Sequence, residues 1–226
     1  MENFKLTNLF NIKGISAPSG LLYSQNVLFL ISDSSNYLYQ YDISKKLLLK
    51  FPLVKDAKEN IEKVNKPDLE SITQYGNQII LLGSGSTSKR NAMFTLDLSS
   101  DALQKQDMSA LYEKLKTVGA LTPEQLNIEG AIYAHKTMLL FQRGNAKGSK
   151  NGVFIVPNHQ ENGIRFVPIV LPTKKPFGDK DYHWIHYSGD EPYTRIVDFN
   201  KVTGHESKNS LITLEIPKTV SCSGAQ

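Results

Sequence analysis

The chain repeats itself. The stretches "SGLLYSQNVLFLISD" (19–33), "ESITQYGNQIILLGS" (70–84) and "EGAIYAHKTMLLFQR" (129–143) superpose without a gap. Each opens on a polar residue (Ser19, Glu70, Glu129) and a small one (Gly20, Ser71, Gly130). Each then turns at Asn26, at Gly76 with Asn77, or at His135 with Lys136, and closes on an apolar run. Short apolar runs joined by such turns predict β-hairpins. A second block follows every copy: "NYLYQYD" (36–42), "NAMFTLD" (91–97) and "NGVFIVP" (151–157), each headed by Asn. These predict a third strand, and the Gly-, Ser-, Lys- and Asn-rich connections before them fit surface loops. "LLLKFP", ending at Pro52, and "IRFVPIV" (164–170) predict the outermost strands of the first and third copies. Four antiparallel strands repeated radially make a propeller blade. The expected fold is therefore all-β: a β-propeller with three clear four-stranded blades, over a domain of residues 1–172.

The second repeat spacing, Glu70 to Glu129, exceeds the first, Ser19 to Glu70, and "DMSALYEKLKTV" (107–118) accounts for the excess. Leu111, Leu115 and Val118 fall at i, i+4 and i+7, the apolar stripe of a short helix. This insertion reads either as a lid over the propeller face or as a cap on an exposed strand edge, and amphipathic stripes more often serve packing. "TPEQ" (122–125) follows, with Thr as N-cap, Pro at the first helical position and Gln at the third, which predicts a further helical turn.

Composition limits the partners. Twenty-six Lys and Arg against 22 Asp and Glu give a net charge of +4, without a basic run, so nucleic-acid binding is not expected. No apolar stretch reaches the roughly 18 residues of a membrane span. The single cysteine, Cys222, has no internal disulfide partner, and "MENFKLTNLFNIKG" lacks the layout of a secretion signal, so a cytoplasmic location is expected.

The chemistry-bearing residues cluster at the blade starts. "KPDLESIT" (66–73) carries Asp68 and Glu70, and "LNIEGAIY" (126–133) carries Asn127 and Glu129. The innermost strand of each blade begins at one mouth of the central channel, and the period of two predicts that each pair points to one side of its strand. Four oxygen-bearing side chains converging there suit a hard divalent cation such as Ca²⁺, which takes six to eight oxygen ligands. Hydrogen bonds to neighbouring backbone groups, pinning adjacent blades, would use the same residues equally well. Asp33, Ser84 and Arg143 share one repeat position, expected at the far end of the hairpin, across the blade from the acidic pairs. There Arg143 either holds an anion bidentately or bonds loop carbonyls.

"KPDLESIT", "LLGSGSTSKRNAMFTLDL", "LNIEGA" and "LLFQRGN" together resemble the signature segments of an uncharacterised bacterial β-propeller family related to the esterase-like phytase proteins, over residues 14–171. The resemblance implies a propeller, six-bladed in full-length relatives, with acidic residues at the channel and a phosphoesterase or esterase activity. It implies that Glu70 and Glu129 match blade-start glutamates and that Arg143 matches the arginine of the "QRGN" segment. Two functions follow as expectations. In one, Asp68, Glu70, Asn127 and Glu129 hold a divalent cation, Glu70 and Glu129 serve catalysis, and Arg143 binds a small anionic ester substrate. In the other, the propeller is a non-catalytic scaffold that binds a ligand or protein through its loops.

Other motifs carry less. "GSGSTSKR" (83–90) leads into a strand and offers no helix N-terminus to a phosphate. No G-x-S-x-G elbow is present, and His183 and His186 are three apart without a helical pattern to orient them. From Thr173 the repeat disappears, so residues 173–226 read as a divergent segment: a partial fourth blade, or a tail foreign to a shortened propeller.

Overall fold

The computed structural model describes residues 10–134, 136–157 and 163–169 in full; outside these it describes only the backbone of four short strands. These are Glu2–Phe4 (β1), which pairs antiparallel with Ile212–Leu214 (β16), and His183–Trp184 (β14), which pairs antiparallel with Val197–Asp198 (β15). Residues 1–11 with 171–226 form one compact unit and residues 12–170 another. The readings of Cys222, of His186 and of the divergent segment as a blade lie outside the described residues.

The unit of residues 12–170 holds three four-stranded antiparallel sheets, each in simple sequential order. The first sheet comprises β2 (Pro18–Ser24), β3 (Val27–Ser32), β4 (Tyr37–Asp42) and β5 (Leu47–Pro52). The second comprises β6 (Leu69–Tyr75), β7 (Gln78–Gly83), β8 (Ala92–Asp97) and β9 (Leu103–Asp107). An α-helix, α1 (Ser109–Gly119), then leads to the third sheet: β10 (Ile128–Ala134), β11 (Thr137–Gln142), β12 (Gly152–Pro157) and β13 (Arg165–Pro168). These are three blades, as the repeat predicts. The first strands of neighbouring blades, β2 with β6 and β6 with β10, lie against each other. The second blade also has an outermost strand that its polar text, "LQKQD", conceals.

The tight turns follow from the residues that tolerate left-handed backbone. Gln25 and Asn26 both have positive φ between β2 and β3, Gly76 has φ +57° between β6 and β7, and Lys136 supplies it between β10 and β11. The heading asparagines close each blade: the carbonyls of Asn36, Asn91 and Asn151 accept from the amides of Leu53, Met108 and Ile169, just past each outer strand.

Blade packing explains why β7 is apolar almost throughout. Its side chains alternate between two covered faces. Ile79 and Leu81 pack with Phe29, Ile31 and Leu38 of the first blade. Ile80 and Leu82 pack with Leu140 and Phe154 of the third blade and with Leu111, Tyr112 and Leu115 of α1. The helix is thus a plug in the core between the second and third blades, which settles its role as packing and not as a lid. The Tyr112 hydroxyl donates to the Gly83 carbonyl (2.6 Å), and burial raises its pKa above the ordinary tyrosine value, keeping it protonated. Gly119 lets the helix end approach the third blade, since a Cβ there would meet the Phe154 ring at 2.9 Å. The turn Pro123–Gln125 carries the predicted capping box between Thr122 and Gln125. Among the described residues no helix is long and apolar enough to cross a membrane.

Leu115 is fully buried in this plug. Leu115→Ala should lower unfolding stability by about 2–4 kcal/mol, read as a fall in the urea midpoint with little change in slope.

Candidate functional site

Each blade opens with the same irregularity. The pairing of β2 with β3 slips between Pro18 and Gly20, that of β6 with β7 between Leu69 and Ser71, and that of β10 with β11 between Ile128 and Gly130. The unpaired residues are Ser19, Glu70 and Glu129, the very positions that begin the three repeats. A bulge releases its residue from the ladder and re-aims the side chain. The period-two expectation for the acidic pairs is corrected as to cause. The two members of each pair do meet, Asn127 with Glu129 at 2.7 Å and Asp68 with Glu70 within 4.8 Å, but through a bulge and not plain strand alternation; in the first pair Asp68 also has left-handed backbone (φ +52°), as does its repeat equivalent Ala17 (φ +44°).

A second correction concerns Asp33, Ser84 and Arg143. They occupy the same rim as the acidic residues, because an antiparallel hairpin brings its second strand back beside the start of its first. The amides of Asp33, Ser84 and Arg143 donate to the carbonyls of Ala17, Asp68 and Asn127, respectively.

At the first junction, Asp68 is buried (4% exposed) and saturated with partners. Lys66 Nζ lies 2.7 Å from Asp68 Oδ1 and 2.5 Å from Asp33 Oδ2, so one ammonium joins the first two blades. Arg90 Nη1 donates to Asp68 Oδ2 (2.9 Å), and the hydroxyl of Ser84 donates to the same oxygen. Burial works against the Lys66 charge, but its bonds to Asp33 and Asp68 outweigh that and raise its pKa. At the second junction, Glu129 Oε1 accepts from Arg143 Nη1 (3.0 Å) and from Asn127 Nδ2 (2.7 Å).

Glu70 stands between these groups. Among the described residues, Asp33, Asp68 and Glu70 present carboxylate oxygens within 4.8 Å of one another. Burial, followed by the charges of Glu129, Asp68 and Asp33, pushes the Glu70 carboxyl up to about 8, with Lys66 opposing. No hydrogen bond or ion pair reaches it from the described residues. Ser19, its equivalent in the first blade, instead donates its hydroxyl to the Leu69 carbonyl and stitches two blades together.

The predicted residues thus reach one rim but divide into two groups: Asp68 with Glu70, and Asn127 with Glu129 and Arg143. Asp33, Lys66 and Arg90 complete the first group. Their signals were present in the sequence: Asp33 shares the Arg143 repeat position, and Lys66 stands two residues before Asp68. The loop "GSGSTSKR" is no phosphate cradle in this structure, since its Arg90 is turned back onto Asp68 through the short turn Ser88–Arg90.

A family model described as a family of unknown function, DUF6929, matches residues 14–175. The chain belongs to that family. No curated protein matches it. Among solved structures, the chain is similar to the Pan2 WD40 domain of Neurospora crassa, at 10% identity, covering 62% of this chain and 32% of that one with a TM-score of 0.37. It is also similar to the Cps50 (Swd1) β-propeller domain of Myceliophteria thermophila, at 10% identity, covering 73% and 42% with a TM-score of 0.38. The chain spans about a third of the length of the first of these, 32%. The blade assignment itself rests on the three sheets, their sequential order and their shared bulge.

Two outcomes check this electrostatic account. Lys66→Met removes the ammonium between two carboxylates, one of them buried, and should cost about 3 kcal/mol by chemical denaturation. For Glu70, the folded carboxyl holds its proton up to about pH 8, whereas the unfolded chain releases it near the ordinary glutamate value of 4.5. The folded state binds the extra proton between those values, so this contribution to stability is full at low pH and falls as pH rises through the window. Glu70→Gln should therefore gain stability relative to the parent between about pH 5 and pH 9, by about 1–3 kcal/mol after allowance for solvent screening. A difference independent of pH would refute the raised pKa.

Proposed function

We propose that this chain is a non-catalytic propeller module whose rim binds a single cationic or hydrogen-bond-donating group of a ligand or protein partner at Glu70. One observation carries the reading. Lys66, Arg90 and Arg143 already compensate Asp33, Asp68 and Glu129, while Glu70 keeps a partly buried carboxyl without a partner among the described residues. A partner supplying one ammonium or guanidinium would take up the proton's place there and restore the carboxylate. Nothing in this reading requires a nucleophile.

A second reading keeps the relation to the esterase-like phytase proteins and a metal-assisted (phospho)ester hydrolase. It is favoured by the mutual distances of Asp33, Asp68 and Glu70. In it Asp68, Glu70, Asn127 and Glu129 supply oxygens to Ca²⁺, which would polarise an ester oxygen, and Glu70 and Glu129 act in catalysis while Arg143 orients an anionic substrate. The donor set fits poorly. Glu129 Oε1 already accepts from Asn127 and Arg143, and the Lys66 ammonium occupies the carboxylates of Asp33 and Asp68.

The readings separate in one experiment. Thermal melting with and without millimolar calcium should show no shift, and p-nitrophenyl phosphate and p-nitrophenyl acetate should show no turnover sensitive to Glu70→Gln. Agmatine, which carries a guanidinium and an ammonium, should give saturable chemical-shift changes that Glu70→Gln abolishes. Calcium-dependent stabilisation together with turnover lost in Glu70→Gln would reverse the order of the two.

A further inference from the structure

The connection from the first blade to the second, residues 53–66, carries no helix, and between it and the residue before β4 lies a cleft of about 470 Å³. That is within the roughly 300–1,000 Å³ of small-molecule sites. Its walls are held in place from the blade: the Asn36 amide donates to the Lys58 carbonyl (3.0 Å) and the Ile61 amide to the Ser34 carbonyl (2.8 Å). Tyr37 donates its hydroxyl to the Ala57 carbonyl, and the Glu59 carboxylate accepts from Tyr39 and from Lys50, both at 2.6 Å. The lining itself is polar and largely unused. Repeat comparison shows this at the heading asparagines. Asn91 donates its side-chain amide to the Ser109 hydroxyl, and the Asn151 side-chain oxygen accepts from the Gly144 amide. The side chain of Asn36 instead lines the cleft and makes no hydrogen bond to a described residue. Asp56, Lys58, Asn60 and Glu62 line it likewise, their side chains without a hydrogen bond or ion pair among the described residues.

We propose that this cleft binds a neutral polyhydroxyl ligand, a hexose or hexoside, through Asn36, Asp56, Lys58, Asn60 and Glu62. The class follows from the lining. A sugar hydroxyl both donates and accepts; a side-chain amide does both, a carboxylate accepts and an ammonium donates, so the set matches neighbouring hydroxyls, with Ile61 as the apolar contact for the C–H face of the ring. No aromatic side chain lines the cleft, so a nucleobase finds no stacking surface. Lys50 neutralises Glu59 and Lys58 offsets one of Asp56 and Glu62, which leaves an excess of negative charge that repels a free anion. Among the described residues only Asp33, Asp68 and Glu70 bring three carboxylates close enough to share a metal ion, so Asp56, Glu59 and Glu62 do not converge on one. Glu70 does not line the cleft, and the proposal does not rest on the rim reading.

The test is a titration of backbone amide shifts in the full chain with methyl α-D-glucopyranoside, methyl α-D-mannopyranoside and methyl β-D-galactopyranoside, each to about 50 mM. At least one should give saturable changes at Asn36, Asn60, Ile61 and Glu62, with a dissociation constant on the order of 1 mM, the weak affinity of a small ligand held by hydrogen bonds. Asn60→Gly keeps the left-handed backbone (φ +54°) and deletes the amide side chain. Combined with Glu62→Gln it should weaken binding about tenfold, with the melting temperature of the parent, because neither side chain has a partner to lose. Glu70→Gln should leave hexoside binding unchanged, which separates failure here from failure of the rim reading, and agmatine should not shift these amides. No saturation by any of the three glycosides, unaltered affinity in the double variant, loss of binding in Glu70→Gln, or saturable changes at these amides from agmatine or sodium phosphate would each overturn the proposal.

Discussion

The Asp68 carboxylate holds the rim together. It is buried, and a buried charge persists only when its lone pairs are taken. One oxygen faces Lys66, which reaches on to Asp33 in the first blade; the other accepts from Arg90 and Ser84 in the second. The Asp68 amide adds a backbone bond to the Asp33 carbonyl across the same junction, and the Ile128 amide does the same to the Ser84 carbonyl at the next. These contacts fix where the three bulges lie relative to one another, and so they set the surroundings of Glu70. With the cations committed to Asp68, Asp33 and Glu129, Glu70 is left with burial and like charges, both of which favour its protonated form.

Below the rim the fold depends on faces that are apolar twice over. A sheet with one wet face would alternate polar and apolar residues, yet the second blade has neighbours on both sides, and Ile79 to Leu82 serve them in turn. The helix α1 belongs to this scheme. Its buried side, Leu111, Tyr112 and Leu115, fills the space between the second and third blades, and its tyrosine hydroxyl anchors to Gly83, the last residue of β7. The core of the third blade and the ordering of the rim are thereby linked through one short strand.

Much of this was legible in the sequence because repetition amplifies weak signals. One apolar hairpin is ambiguous, whereas three in gapless register with Asn36, Asn91 and Asn151 at matching positions identify blades. The helix and the capped turn at Thr122 were readable for local reasons, a stripe and a capping box. Strand β9 was not, since four of its five residues are exposed and polar. The bulges were hidden for a subtler reason. All three copies carry the extra residue at the same place, so their alignment needs no gap and nothing marks Ser19, Glu70 and Glu129 as unpaired. The side of the blade occupied by Arg143 was misread because strand ends were ordered along the chain, while an antiparallel ladder orders them by pairing. The partnership of Lys66 with both Asp33 and Asp68 spans 33 residues at its longer reach and is set by blade stacking, which no local pattern encodes.

Charge balance bears on what the rim can hold. Four carboxyl groups (Asp33, Asp68, Glu70, Glu129) face three permanent cations (Lys66, Arg90, Arg143), and protonation of Glu70 brings the set to neutrality. A monovalent group arriving at Glu70 can exchange for that one proton and leave every other pair intact. A dication bound by Asp33, Asp68 and Glu70 must also compete with the Lys66 ammonium, which the surrounding carboxylates hold charged, and moving it would unfasten the first blade from the second. Metal binding and blade adhesion thus draw on the same carboxylates, whereas binding of a single ammonium or guanidinium draws only on the one that adhesion leaves over.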